Sequence, residues 1–224
     1  MPLPPDVLSP ENEKLLLLGN HAAHLVHDWN NVLTLLQAQC AELPPSDAAT
    51  DLTASVDQAV ALPRQLLNYL RQSPPTRTRI YLDEWLPSVE PSLRQLLGRR
   101  HRLYPDYSAP ALAVSVDLAQ LRNALINLTL NARAALGDSG RVRLVSSPHP
   151  TGVALALHDN GHGFDDATRA RLFEPFFTTR TDSHRTGLGL ASVKSFVDAH
   201  RGALTVESQP NEGTVFTLLL PLAP

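Results

Sequence analysis

Leu157-His158-Asp159-Asn160-Gly161-His162-Gly163-Phe164 is the stretch on which the fold turns. An apolar run that ends in a carboxylate and then breaks into spaced glycines reads as a strand delivering Asp159 to a loop. A carboxylate at a strand end can accept a hydrogen bond from an exocyclic amine, and Gly161 and Gly163 let the backbone approach a ligand closely. Just upstream, Val142 to Ser146 pairs with Val153 to His158 as a hairpin, because Pro148 to Gly152 carries turn residues. Further upstream, Leu112, Val114 and Val116 alternate as a strand, and Asp117 can cap a helix running to about Leu136. On that helix Asn123, Asn127 and Asn131 recur every four residues and line one face with amides. An asparagine oxygen is a hard neutral ligand suited to Mg2+, which keeps waters and bridges phosphates. A short strand at Arg79 to Leu82 and a helix at Glu84 to Leu97 complete this side.

Downstream, a short helix near Ala167 to Phe173 precedes a polar loop. Gly187-Leu188-Gly189-Leu190 then opens a helix reaching His200, whose free N–H groups and dipole can hold phosphate. Leu204 to Ser208 and Val215 to Leu220 form a closing hairpin around Asn211-Glu212-Gly213, with Gly213-Thr214 ending the turn. Helices mixed with mostly antiparallel strands predict an α/β sandwich, helices on one sheet face and solvent on the other. Singly, each motif has a plain structural alternative: an ordinary turn, an ordinary helix start, a solvated amide face. Their order and spacing carry the combined reading.

The N-terminal region has a different pattern. Residues 11 to 42 lack proline, and Leu15, Leu18, Ala22, Leu25, Trp29, Val32 and Leu36 alternate steps of three and four as a heptad seam. Pro44-Pro45-Ser46-Asp47 ends that helix and caps a second, roughly 48 to 72, with Leu52, Val56, Ala59, Leu66 and Leu70 on one stripe and Pro63 as a kink. Two such helices leave apolar faces that a dimeric four-helix bundle would cover, docking of a monomeric hairpin on the rest of the chain being the alternative. His27 falls opposite the seam, facing water. Asp28 beside it can orient the imidazole and accept its proton, and Asn31, one turn on, shares its face and can position a water for dephosphorylation. The alternatives are a surface histidine without a role and a metal site with His21 and His24, which the three-residue spacing disfavours.

Composition narrows the classes. Hydrophobic content of 43% and charged content of 18% are ordinary for a globular chain, and the net charge of −3 gives no reason to expect nucleic acid or an anionic membrane. The lone Cys40 excludes an intrachain disulfide and a CxxC metal site. No signal peptide or run of 18 apolar residues is present, so a cytoplasmic protein without membrane insertion is expected.

At these residues the chain resembles the catalytic core of bacterial two-component sensor histidine kinases, particularly those whose phosphoacceptor segment reads HDFNN. His27-Asp28-Trp29-Asn30-Asn31 is similar to that H box, and Arg64-Gln65-Leu66-Leu67 to the end of the second dimerisation helix. Asn127 to Ala132 is similar to the N box, Asp159 to Gly163 to the G1 box, and Phe173 to Arg180 to the F box and start of the ATP lid. Gly187 to Leu190 and Gly213-Thr214 are similar to the last two glycine boxes. The resemblance implies a phosphoacceptor hairpin over residues 11–73 that dimerises into a four-helix bundle, followed by a GHKL (Bergerat) α/β sandwich over 77–222. It implies ATP and Mg2+, autophosphorylation of His27 with Asp28 as acid/base partner, and onward transfer to an aspartate on a response-regulator receiver domain.

In that implied site Asn131 holds Mg2+ with Asn127 at the phosphates, and Asp159 meets the adenine amine beside Gly161 and Gly163. Phe173, Arg180 and Thr214 join the nucleotide pocket, as do Gly187, Leu188, Gly189 and Leu190, whose glycines let the lid close on phosphate. Three positions depart from the family pattern: Val32 replaces a frequent proline, Ala134 a polar or acidic residue, and Arg185-Thr186 an earlier glycine. With no sensor segment in the sequence, either the chain is an excised core or the signal arrives through a separate sensor protein. Two other classes stand beside the kinase: a dimeric phosphotransferase relaying phosphate without ATP, and a GHKL ATPase of another kind.

Overall fold

The computed structural model describes residues 36, 38–40, 75–109, 112–179 and 187–223. Two compact units divide them. The smaller contains the helical residues Leu36 and Ala38 to Cys40, together with Gly187 and Leu188; Cys40 and Leu188 are buried. Most of the expected helical hairpin, with His27, Asp28 and Asn31, lies outside the described residues, as do Arg180 and the rest of the polar loop.

The larger unit is an α/β sandwich. In chain order it comprises β1 (Thr78–Tyr81), α1 (Leu82–Leu97), β2 (His101–Tyr107), β3 (Ala113–Val116), α2 (Leu118–Ala135), β4 (Gly140–His149), β5 (Gly152–Asp159), α3 (Asp166–Arg171), α4 (Gly189–Ala199), β6 (Ala203–Gln209) and β7 (Gly213–Pro221). Five strands form the main sheet in the order β2-β4-β5-β7-β6, while β1 and β3 form a small antiparallel sheet. The strands alternate because one face is buried: Val153, Leu155 and Leu157 on β5 and Phe216, Leu218 and Leu220 on β7 point inward. They join Leu82, Leu86, Val89, Leu93 and Leu97 of α1, Leu121, Leu125 and Leu128 of α2, and Val193 and Val197 of α4 in a single core. A leucine set spaced by three and four residues on each long helix supplies the matching stripe.

Two details depart from the expected pattern. His101–Tyr107 is a strand, and it runs parallel to β4 in an otherwise antiparallel sheet. Pro105 hid it, since proline cannot donate to a ladder, yet β2 is the edge strand, where that loss is tolerated. Arg94 of α1 also donates to the Leu103 carbonyl at 2.7 Å, covering part of this edge. The β4–β5 turn is shorter than read: β4 continues through Pro148 to His149, leaving Pro150 and Thr151 as the turn. Pro87 and Pro91 sit inside α1, both on its exposed face, so the buried stripe continues past them.

The entry to this unit is clamped. The Asp117 side chain accepts from Ala119 N and Gln120 N at 3.0 Å, capping α2, and from Thr76 N at 2.9 Å. The Asp117 N–H donates to His200 Nε2 at 2.9 Å, and His200 Nδ1 donates to the Phe196 carbonyl at 2.8 Å, which closes the end of α4. Arg77 donates to Ala199 O at 2.6 Å. His200 is buried, and desolvation, with Arg77 adding, holds its ring below the ordinary 6.5 despite the Phe196 bond and Asp117. Only the neutral ring can accept from Asp117 N. A histidine with a lowered folded value contributes stability that is complete above 6.5 and lost as pH falls toward that lowered value. The denaturant midpoint of the wild type should therefore drop on acidification below 6.5, and His200→Gln should flatten that slope; an equally steep variant would locate the titration elsewhere.

Candidate functional site

The site begins where β5 ends. Asp159 is the last inward-facing residue of that strand and is 9% exposed. Its carboxylate accepts from Gly161 N at 2.8 Å and from the Thr214 backbone N–H. Burial raises its pKa above 3.8, against the pull of those two bonds and of nearby His162. The net result is an acceptor held at the rim of an apolar core, which suits a ligand donor such as an amine.

The glycines around it are required by close packing. A Cβ at Gly161 would meet the Ala135 carbonyl at 2.7 Å, so the loop lies directly on the last turn of α2. Gly163 has φ +59 and would clash with the Gln209 carbonyl; Gly213 has φ +87 and would clash with the Asp159 carbonyl. The loop after β5 and the β6–β7 turn are thereby interlocked, with Asn211 N donating to the His162 carbonyl at 2.7 Å and His162 N to the Ala135 carbonyl at 3.1 Å. Asn160 ties the other side, accepting from Arg141 N at 2.7 Å. His162 Nδ1 donates to the Gly163 carbonyl at 2.6 Å. A cavity of about 390 Å3 lies beside this loop, lined by Ala134, Ala135, Leu136, Gly137, Asn160, Gly161, His162 and Asn211, and by neither Asp159 nor the amides of α2.

The amides of α2 flank this loop. Asn123 is exposed, whereas Asn127 and Asn131 are half-buried, and Asn131 precedes Ala135, the residue Gly161 rests on, by one turn. Asn127 Oδ1 lies 3.6 Å from the position of a Cβ at Gly189, the first residue of α4. Asp159, Gly161, Gly163, Thr214, Asn127, Asn131 and Gly189 thus belong to one unit and surround one end-and-flank of α2. Phe173 and Leu190 pack half-buried against the core. Gly187, at φ 66, and the buried Leu188 fall in the other unit. Phe176 is 65% exposed at φ 67, and Arg171 stacks on Phe177 with its guanidinium 4.3 Å from the ring centre.

Among the described residues no group of three or more His, Cys, Asp or Glu could hold a metal ion. Asn131, half-buried on α2, carries an amide oxygen, a ligand type that suits a divalent cation sharing its shell with phosphates and waters. Ser208 was missed by the sequence reading. Its signal is a serine at an inward position of β6, following Leu204 and Val206.

Residues 116–224 match the family described as histidine kinase-, DNA gyrase B-, and HSP90-like ATPases. The chain is 29% identical to the sensor kinase CckA of Brucella abortus (strain 2308), over 94% of this chain and 25% of that protein. It is 30% identical to the sensor histidine kinase ZraS of Escherichia coli (strain K12), over 94% of this chain and 47% of that protein. The chain thus spans less than half the length of either relative. Full-length ShkA, solved in complex with AMPPNP, superposes with a TM-score of 0.77 at 24% identity, covering 91% of this chain and 46% of that one, a likeness of fold. The C-terminal half thus resembles, in sequence, the ATPase domain that this family model describes, and the sandwich has the fold of ShkA. Among the described residues no helix is long and apolar enough to cross a membrane.

Because Gly213 combines a positive φ with the Asp159 carbonyl against it, Gly213→Ala should lower the melting temperature more than Gly137→Ala, whose added methyl meets nothing within 4 Å. Equal shifts in calorimetry would mean the interlock of loop and turn is loose.

Proposed function

We propose that this chain is an ATP-dependent protein histidine kinase that phosphorylates itself on His27 and passes the phosphoryl group to an aspartate of a response-regulator receiver domain. The observation that carries the reading is the juxtaposition of a buried carboxylate, a glycine-lined loop and an amide-bearing helix within a domain matched to that ATPase family. The similarity to sensor histidine kinases supports the same assignment. In this reading residues 11–73 form the phosphoacceptor hairpin, paired in a homodimeric four-helix bundle, and 77–222 form the ATP-binding domain. The chain works in the cytoplasm, with its input supplied by a separate sensor or by further segments of a longer protein.

Asp159 accepts from the adenine amine, with Gly161, Gly163 and Thr214 shaping the purine side. Asn127 and the start of α4 at Gly189 serve the phosphates, and the amide oxygen of Asn131 is the protein ligand for Mg2+. Phe173, Arg180, Gly187, Leu188 and Leu190 complete the lid side. Mg2+ supplies charge neutralisation on the transferring oxygens when bound. A ring nitrogen of His27 attacks the γ-phosphorus in line as the bond to the bridging oxygen of ADP breaks, and Asp28 takes the proton from the other ring nitrogen. Asn31 positions a water for dephosphorylation, a hydrolysis that releases inorganic phosphate.

The test is incubation of the full chain with γ-labelled ATP and Mg2+, wild type beside His27→Ala. Acid-labile, base-stable label on the wild type alone is expected. Label acquired only from a phosphorylated receiver would instead identify a relay phosphotransferase, and ATP hydrolysis indifferent to His27→Ala an ATPase of another class. Asn131→Ala should abolish labelling while light scattering still reports a dimer; a monomeric variant would make the amide ladder structural.

A further inference from the structure

On the helix-facing side of the main sheet, Asp159, Thr214 and Ser208 form one cross-strand row. Asp159 of β5 is directly opposite Thr214 of β7, and Thr214 is directly opposite Ser208 of β6. All three are buried, at 9%, 4% and 7% exposure, at a level of the sheet whose neighbouring inward rows are leucine, valine and phenylalanine. A polar row in that setting must account for every proton.

Ser208 has one hydrogen to give and three close partners. Its Oγ lies 2.8 Å from the Gly213 carbonyl, 3.0 Å from Phe164 N and 3.1 Å from Thr214 Oγ1. The Gly213 carbonyl can only accept, so it takes the Ser208 proton. Phe164 N can only donate, so it fills one Ser208 lone pair. What remains for Thr214 is the second lone pair, which makes Thr214 the donor in the 3.1 Å contact. The Thr214 proton is therefore committed toward Ser208, and its own lone pairs face away from it. Arg169 donates to the Ser208 carbonyl at 2.5 Å and the Thr214 backbone N–H is held by Asp159, so neither residue is free to turn.

We infer that Ser208 is a positioning residue for base selectivity: by holding the Thr214 proton it makes Thr214, like Asp159, an acceptor only, so that the purine edge must present donors. This rests on the nucleotide assignment above and deepens it. The discrimination falls on the 6-substituent: an exocyclic amine donates to such acceptors, whereas a 6-oxo group only accepts and is set against them, although its neighbouring N1–H donates where adenine N1 accepts. Loss of Ser208 frees the Thr214 hydroxyl to rotate and donate, which relaxes the discrimination.

The experiment is calorimetric titration of the full chain, in Mg2+, with ADP and with inosine diphosphate, whose base carries a 6-oxo group and an N1–H in place of the amine and bare N1. The wild type should favour ADP strongly. Ser208→Ala should narrow the ratio of the two dissociation constants by about five-fold, the worth of one neutral hydrogen bond, and Ser208→Thr, which keeps the hydroxyl, should restore it. A merely structural serine would weaken both nucleotides together; an unchanged ratio in folded Ser208→Ala overturns the proposal. Should that variant fail to fold, Thr214→Val removes the acceptor itself on a strand that favours valine, and an unchanged ratio there overturns it equally. A wild type that binds ADP without preference overturns the selectivity alone, whereas a wild type that binds neither nucleotide overturns the nucleotide assignment as well.

Discussion

A carboxylate at the edge of an apolar core survives only if its charge is answered locally. At Asp159 the answer comes from two backbone N–H groups, those of Gly161 and Thr214, and both require unusual local geometry. The loop must fold back sharply enough for Gly161 to lie on Ala135, and β7 must begin close enough for Gly213 to touch the Asp159 carbonyl. The glycines, the positive φ angles and the short β6–β7 turn are all conditions for keeping that one charge where a ligand can meet it. Substituting any of them removes more than a local contact, because each holds a donor in place.

The same economy governs the helices. α2 is capped at one end by Asp117 and buttressed at the other by the loop carrying Gly161 and His162, so its amide face has fixed height relative to Asp159. α4 packs beside it and begins at Gly189, close to Asn127. A helix start with free N–H groups, an amide ladder and a buried acceptor would each be unremarkable alone. Their chemistry becomes specific through the rigid spacing that the core leucines of α1, α2 and the sheet enforce.

Much of this was legible in the sequence because it rests on local rules. Alternation located β4, β5, β6 and β7, and Asp117 marked the start of α2 to the residue, since capping chemistry is read from a single side chain. β2 was not legible: Pro105 argues against a strand unless the sheet order is known, and sheet order is a tertiary fact. Pro148 misled in the same way, marking a turn where β4 continues. For the site, the glycines and Asp159 announced themselves by spacing, but Ser208 did not. Its meaning depends on standing opposite Thr214, which in turn stands opposite Asp159, and register across three strands cannot be counted along one chain. His27, Asp28, Asn31 and Arg180 fall outside the described residues, so for them the sequence speaks alone.

The small sheet has a consequence for how this unit is built into a polypeptide. The incoming chain is fastened at Thr76 to Asp117, which follows β3, and the outgoing chain at Ala223 donates to Ala113, the first residue of the same strand. Entrance and exit therefore share one pole. The loop around Asp159 sits at the far end of α2, whose 18 residues span ~27 Å. Within this unit the first and last fastened residues thus lie together, at the opposite end of α2 from the loop around Asp159.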